Sequence, residues 1–377
     1  MSAAPTAASG LAEVLDGTHV AVVCGTGGVG KTSVAAALAA AEAMRGRRVC
    51  VLTIDPARRL AQALGLERLD DQLRPITLPA SAAPGGALTA AMLDPQRTFD
   101  RLVEETAPDP ESRDRIFDNS LYRELTRHAA SVQEYMALER LYEIDRAGDF
   151  DLIVVDTPPM AHARDLLDAP QRILEFLNGR SLRWFLKPSL RMGRVGLRAV
   201  GGARGLLVQG LSRLTGAEAL QDVSEFFEAF EGMYDLFGER VQVVERLLAE
   251  ESTGFLVVTS PERESLTGAA EFWLSLADQG LGFIGTVVNR VEPEWPGRLR
   301  RAQDLQELGE IPDDLARRLA RCLRDHQDVA RRDAERIALL RDQTMGSPVA
   351  SAPRMPRLEA SLDGLLGLAL HLYAGDA

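Results

Sequence analysis

Apolar positions change period repeatedly along the first half of the chain. The run 19–24 is short, rich in valine and stops at glycines, whereas 32–45 carries apolar residues at helical spacing and 49–54 is again β-like. That is the pattern of a βαβ unit. Further runs at 152–155, 255–259 and 283–288 are bounded by turn residues or amphipathic stretches. Together they predict at least five parallel strands with helices on the faces of the sheet.

Between the strands the helical period dominates. From Leu220 through Phe226, Phe230 and Phe237 to Val244, apolar residues recur every three or four positions, which predicts one long amphipathic helix. Residues 118–144 predict helices around a break near 128–131. Residues 313–342 mix eight arginines with seven acidic residues, the pattern of an exposed helical pair with solvated faces and no assigned function. Residues 345–356, rich in Ser, Pro and Ala, read as a loop before a last helix over 357–373.

Length and charge narrow the class. The 377 residues carry a net charge of −12 and are 46% apolar, so a general nucleic-acid partner is not expected. No run approaches a spanning helix, and residues 1–9 lack the features of a signal peptide, so a cytoplasmic location is expected. Cys24, Cys50 and Cys322 are too scattered for a disulfide framework or a zinc site, and Cys24 and Cys50 read as small buried hydrophobes.

The candidate chemistry lies at the first strand-to-helix junction. Gly25-Thr26-Gly27-Gly28-Val29-Gly30-Lys31-Thr32 satisfies GxxxxGK[ST] between a strand and a helix. In such a loop glycines turn backbone N–H groups toward phosphates at a helix N-terminus, the lysine reaches the terminal oxygens, and the threonine hydroxyl binds Mg²⁺. Residues Gly25 through Ser33 form the expected nucleotide-contacting set. Asp156 ends the apolar strand 152–155 and fits a carboxylate that holds Mg²⁺, or else a cap of the strand end. Asp55 ends another strand, where it could orient an attacking water or cap the turn before Pro56.

With Asp55-Pro56-Ala57 and the run from Asp156 to His162, this loop resembles the phosphate loop and two switches of the arsenite-pump ATPase family. The same family contains the guided-entry chaperones that target tail-anchored membrane proteins. The resemblance covers nearly the whole chain from His19 onward. It implies an α/β P-loop NTPase with a mostly parallel central sheet flanked by helices, plus a helical insertion subdomain. The expected division is a flexible tail at 1–17 and an ATPase domain over 18–374, with insertions at about 95–147 and 171–250. ATP and Mg²⁺ are the implied cofactors, with Lys31 and Asp55 catalytic, Thr32 and Asp156 on the metal, and Glu262 and Asn289 lining base and sugar.

Several residues depart from the family pattern. Thr26 stands where the family carries a lysine that reaches the partner subunit's nucleotide, and Ala161 replaces a switch glycine. The cysteines used for arsenite or for a zinc bridge are absent, which disfavours arsenite pumping. The resemblance implies a homodimer, expected to hydrolyse ATP slowly unless Arg58 or Arg59 supplies the missing charge, or else a heterodimer with a lysine-bearing paralogue. Residues 176–217 contain no acid but eight basic residues, among them Arg180, Lys187 and Arg204, interleaved with Trp184, Phe185 and many leucines. This run reads either as helices packed on the sheet or as a surface for a hydrophobic protein client or a membrane, with peripheral attachment. The expected function is an ATPase that switches its hold on such a partner. Alternatives are a septum-site or partitioning type of positioning ATPase, and a non-catalytic nucleotide-binding subunit.

Overall fold

In a computed structural model of the protein, residues 11–55, 59–128, 130–158, 172, 225, 226, 228–230, 233–294, 303, 311–355 and 361–373 are described. The chain divides into two compact units, the first made of Met1–Met92, Ala147–Ala163 and Leu248–Ala377, the second of Leu93–Arg146 and Arg164–Leu247.

The first unit holds an eight-stranded sheet. In chain order its strands are β1 (Val20–Cys24), β2 (Arg48–Thr53), β3 (Arg74–Ile76), β4 (Ala87–Met92), β5 (Leu152–Asp156), β6 (Thr253–Thr259), β7 (Phe283–Val291) and β8 (Val349–Pro353). They lie side by side as β3-β4-β2-β5-β1-β6-β7-β8, every pair parallel except β3 with β4. The α/β class and parallel sheet inferred above are what the structure has. β1, β2, β5 and β6 are buried on both faces apart from Arg48, which is why they read as short continuous valine- and leucine-rich runs.

Helix α1 (Leu11–Asp16) precedes the sheet and α2 (Lys31–Met44) follows β1. The expected flexible tail is therefore ordered in its last part, because Leu11 and Leu15 are buried in the main core. Half of α2 is alanine, with Val34 through Ala40 fully enclosed, and the small side chains let it pack between the sheet and the final helix. A short α3 (Arg59–Ala63) follows β2.

The second unit contains α4 (Pro95–Thr106), α5 (Pro110–Asp118), α6 (Ser120–His128), α7 (Ala130–Ala147) and most of α8 (Tyr234–Ala249). Asp94 and Asp109 cap α4 and α5 by accepting from the N–H groups of Arg97 and Ser112, and a proline opens each helix. The break expected near 128–131 falls between α6 and α7. The long helix expected from Leu220 to Val244 has a turn at Met233, and α8 begins only after it; residues 220–224, 227, 231 and 232 lie outside the described residues.

Two other expectations are corrected. Residues 313–342 form one helix, α10 (Asp313–Gln343), after α9 (Arg263–Asp278), because nothing inside the segment can stop it: it has neither Gly nor Pro. The segment 345–356 contains β8, whose small alternating residues and terminal proline hide it from a β-propensity reading. The last helix, α11 (Leu362–Tyr373), begins later than expected, with 356–360 outside the described residues. Residues 176–217 also lie outside them.

Candidate functional site

The turn from β1 into α2 is built for an anion. Gly25, Gly28 and Gly30 have φ values of 145°, 78° and 100°, which L side chains rarely adopt. A Cβ on Gly25 would come within 2.1 Å of the Val258 carbonyl, and one on Gly30 within 2.3 Å of the Asn289 amide nitrogen. Gly30 is the N-cap of α2 and no side chain caps the helix, so its first N–H groups are presented to a ligand. Thr26, Gly27 and Gly28 are exposed, while Val29 is buried and Thr32 and Ser33 occupy the first turn of α2.

Lys31 lies largely inside and donates to the Thr26 carbonyl at 2.9 Å, closing the loop on itself. Burial pushes its pKa down, and Asp156 and Asp55 pull it back up. Asp156, at the end of β5, is fully buried beside it. The Thr53 hydroxyl donates to its Oδ2 at 2.9 Å, while Oδ1 has no hydrogen-bond partner. Burial raises this carboxyl to about 6, against hydrogen bonds from Thr32 and Thr53 that favour the charge. A buried oxygen left unsatisfied costs stability, so it marks a place for a cation or a donor.

Asp55 is half-buried at the end of β2, with its N–H on the Thr53 hydroxyl at 3.3 Å and its Oδ2 3.2 Å from Nη1 of Arg59. Asn289 sits under the loop, donating to the Val29 carbonyl at 2.8 Å and accepting from the Arg290 N–H. Glu262 is the exposed N-cap of α9 and lines a cavity of about 600 Å³ with Thr26, Gly27, Ser265, Arg290 and Arg332. That volume suits a small-molecule ligand. These residues gather at the carboxyl ends of β1, β2, β5, β6 and β7, around the strand where the sheet order reverses, which is where ligands bind in open α/β sheets.

Some participants carried no signal in the sequence. Thr53 and Ser265 are ordinary hydroxyls until β2 places one on Asp156 and α9 brings the other within 3.3 Å of the Thr26 hydroxyl. Arg332 and Arg336 of α10, read as solvated, line the cavity, and Arg336 donates to the Pro261 carbonyl at 3.0 Å. Cys24 is inert as expected: burial lifts its thiol to about 12.

A family model for anion-transporting ATPases matches residues 18–311. The chain belongs to this ATPase family. Relatives of this family member include an uncharacterized protein of Streptomyces coelicolor, 31% identical over 274 residues that cover 72% of this chain and 62% of the relative. The ATPase ARSA2 of Chlamydomonas reinhardtii is 29% identical over 276 residues, 71% of this chain and 67% of that one. An arsenical pump-driving ATPase of Acidiphilium multivorum is 34% identical over 152 residues, 39% of this chain and 24% of that one. The chain thus spans less than two thirds of the Streptomyces relative and about a quarter of the Acidiphilium protein.

Proposed function

We propose that this chain binds ATP with Mg²⁺, hydrolyses it, and uses the cycle to change its hold on a hydrophobic protein client or a membrane surface. The observation that carries the reading is the meeting of three groups in one site: the uncapped glycine loop, the buried Lys31, and the Asp156 oxygen without a partner. The residues fit the cofactors. The loop's N–H groups and Lys31 would hold the phosphates, and Thr32 and Asp156 would hold Mg²⁺. Bound there, Mg²⁺ neutralises charge on the phosphate oxygens. Asp55, just after β2, is the group to accept a hydrogen bond from the attacking water and direct it at the terminal phosphorus. Glu262 and Arg332 face the cavity in which the nucleoside would lie, and Asn289 fixes the loop from below.

The chain would act as a dimer: in a pair of identical copies Thr26 brings no lysine to the neighbouring site, so turnover would be slow, whereas a lysine-bearing paralogue would add that charge to this chain's site. Residues 176–217 are the proposed client or membrane segment on their sequence alone. Among the described residues no helix is long and apolar enough to cross a membrane. The test of the catalytic half is Asp55→Asn, which spares every phosphate contact: ATP affinity should stay within ~3-fold of wild type while turnover falls at least ~10²-fold. Equal loss of binding and turnover would remove Asp55 from this role.

A further inference from the structure

The cavity beside the phosphate loop has two sides that are held in different ways. One side is the exposed tip of the loop, Thr26 to Gly28; the other is a wall made by Pro261, Glu262 and Ser265 with Arg332 and Arg336. The wall is a single packed body: Leu266, next to Ser265, is buried with Val288, Ile337 and Leu340, and Arg336 of α10 donates to the Pro261 carbonyl at 3.0 Å. The loop keeps its shape without this wall. Lys31 holds the Thr26 carbonyl at 2.9 Å and Asn289 holds the Val29 carbonyl at 2.8 Å. Among the described residues one hydrogen bond joins the loop to the wall, that between the hydroxyls of Thr26 and Ser265 at 3.3 Å.

The direction of that bond follows from the other partners of Ser265. A serine hydroxyl has one proton to give and two lone pairs to accept with. Thr259, fully buried at the end of β6, donates through its hydroxyl to Ser265 Oγ at 3.0 Å, nearer than its other acceptor, the Ser260 carbonyl at 3.4 Å. The Ser260 N–H donates to the same Oγ at 3.4 Å. Both lone pairs are then taken, and the Ser265 proton goes to Thr26 Oγ1, which ties the tip of the loop through Ser265 to the end of β6. At 3.3 Å the last link is long for two hydroxyls, which sets its effect at a few-fold.

We propose that Ser265 is a positioning residue that couples the two halves of a bound nucleoside triphosphate: through Thr26 it holds the tip of the phosphate loop in register with the cavity wall, so that phosphates in the loop and a nucleoside in the cavity meet one preformed site. The proposal rests on the ATPase reading above and concerns binding alone, with no covalent bond made or broken. A ligand that fills only the loop needs only the loop's shape, which Lys31 and Asn289 keep. A ligand that spans loop and cavity also needs the distance between them fixed in advance, and it loses affinity when that distance must be restored on binding. Neither hydroxyl carries charge, so removing one leaves the charged residues that line the cavity as they are.

The experiment measures equilibrium binding of ATP and of inorganic tripolyphosphate, each with Mg²⁺, to the purified full chain as wild type, Thr26→Val, Thr26→Ser, Ser265→Ala, the Thr26→Val/Ser265→Ala double variant and Lys31→Ala. Thr26→Val and Ser265→Ala should each lower ATP affinity at least ~4-fold and leave tripolyphosphate affinity within ~2-fold. Because both remove the same contact, the double variant should stay within ~2-fold of the weaker single variant. Thr26→Ser, which keeps the hydroxyl, should bind ATP within ~2-fold of wild type. Thr26→Val keeps the shape of an exposed residue and carries the comparison alone if Ser265→Ala is unstable. Equal losses for the two ligands, as a merely structural role would give, overturn the proposal. So do unchanged ATP affinity in Thr26→Val, a loss in Thr26→Ser as large as in Thr26→Val, or losses that multiply in the double variant. In those cases the ATPase reading stands as long as Lys31→Ala has lost ATP binding. If wild type binds neither ligand, or Lys31→Ala binds ATP as tightly as wild type does, both fall.

Discussion

At the scale of single residues, the clearest cost in the molecule is a carboxylate forced into the interior. Glu139 in α7 is enclosed, accepting from the Tyr135 hydroxyl at 3.1 Å and lying 3.1 Å from Nε of Arg240, without an aligned hydrogen bond to Oε1. Arg240 divides its charge, pairing also with Glu105 and lying 4.8 Å over the ring of Tyr142. Burial is the largest influence on Glu139 and lifts its carboxyl to about 7; Arg240 and Tyr135 pull it down, and Glu143 and Glu105 push it further up. Because the folded chain holds this proton more tightly than the unfolded chain does, stability falls as pH rises from the ordinary carboxylate range through about 7. The slope is at most ~1.4 kcal/mol per pH unit, the weight of one proton. Glu139→Gln should remove that slope. In urea denaturation at pH 5.5 and 8 the variant should gain on wild type at the higher pH, and an identical difference at both would show that Glu139 does not titrate in this window.

At the scale of elements, what the chain discloses about itself depends on where each element gets its stability. β1, β5 and β6 are buried on both sides and announce themselves by composition. β4 reads Ala-Leu-Thr-Ala-Ala-Met and gains its extended form from pairing along its whole length with β2, so propensity cannot reveal it. β3 is three residues long with a proline at its centre, and β8 lies on the opposite edge. The glycine loop was legible because its chemistry demands unusual residues at fixed spacing; Thr53, Ser265 and Arg332 were not, since only the fold brings them to the loop. The close of the fold is likewise a tertiary matter. Glu42 of α2, fully buried, receives Arg45 at 2.9 Å, Arg47 at 3.1 Å and the Tyr373 hydroxyl of α11 at 2.6 Å. Removing the carboxylate in Glu42→Ala leaves the Arg47 charge with only the carbonyls of Leu15, Thr18 and Asp151 and takes from the Tyr373 hydroxyl its acceptor on α2, at a cost of ~3 kcal/mol. Chemical denaturation that registered less than ~1 kcal/mol would show that this cluster does not fasten the two helices.

At the scale of the whole molecule, the glycine loop, the paired carboxylates and the cavity all belong to the unit that holds the sheet, so the proposed nucleotide chemistry draws its described residues from that unit. The helical unit has its own aromatic core, with Phe99 against Tyr122 and Tyr135 against Phe237, each at 5.2 Å between ring centres. A body that packs by itself can act as a separate output for a switch, as the proposed client cycle requires. The account stands or falls on whether this protein turns over ATP through the loop. Single-turnover hydrolysis of radiolabelled ATP by the purified full chain, in excess over nucleotide, reads this without depending on product release. The account predicts phosphate formation that requires Mg²⁺, stops with EDTA, and is lost in Lys31→Ala together with ATP binding. Hydrolysis of equal rate in wild type and Lys31→Ala, or ATP bound by wild type with no phosphate formed, would contradict it.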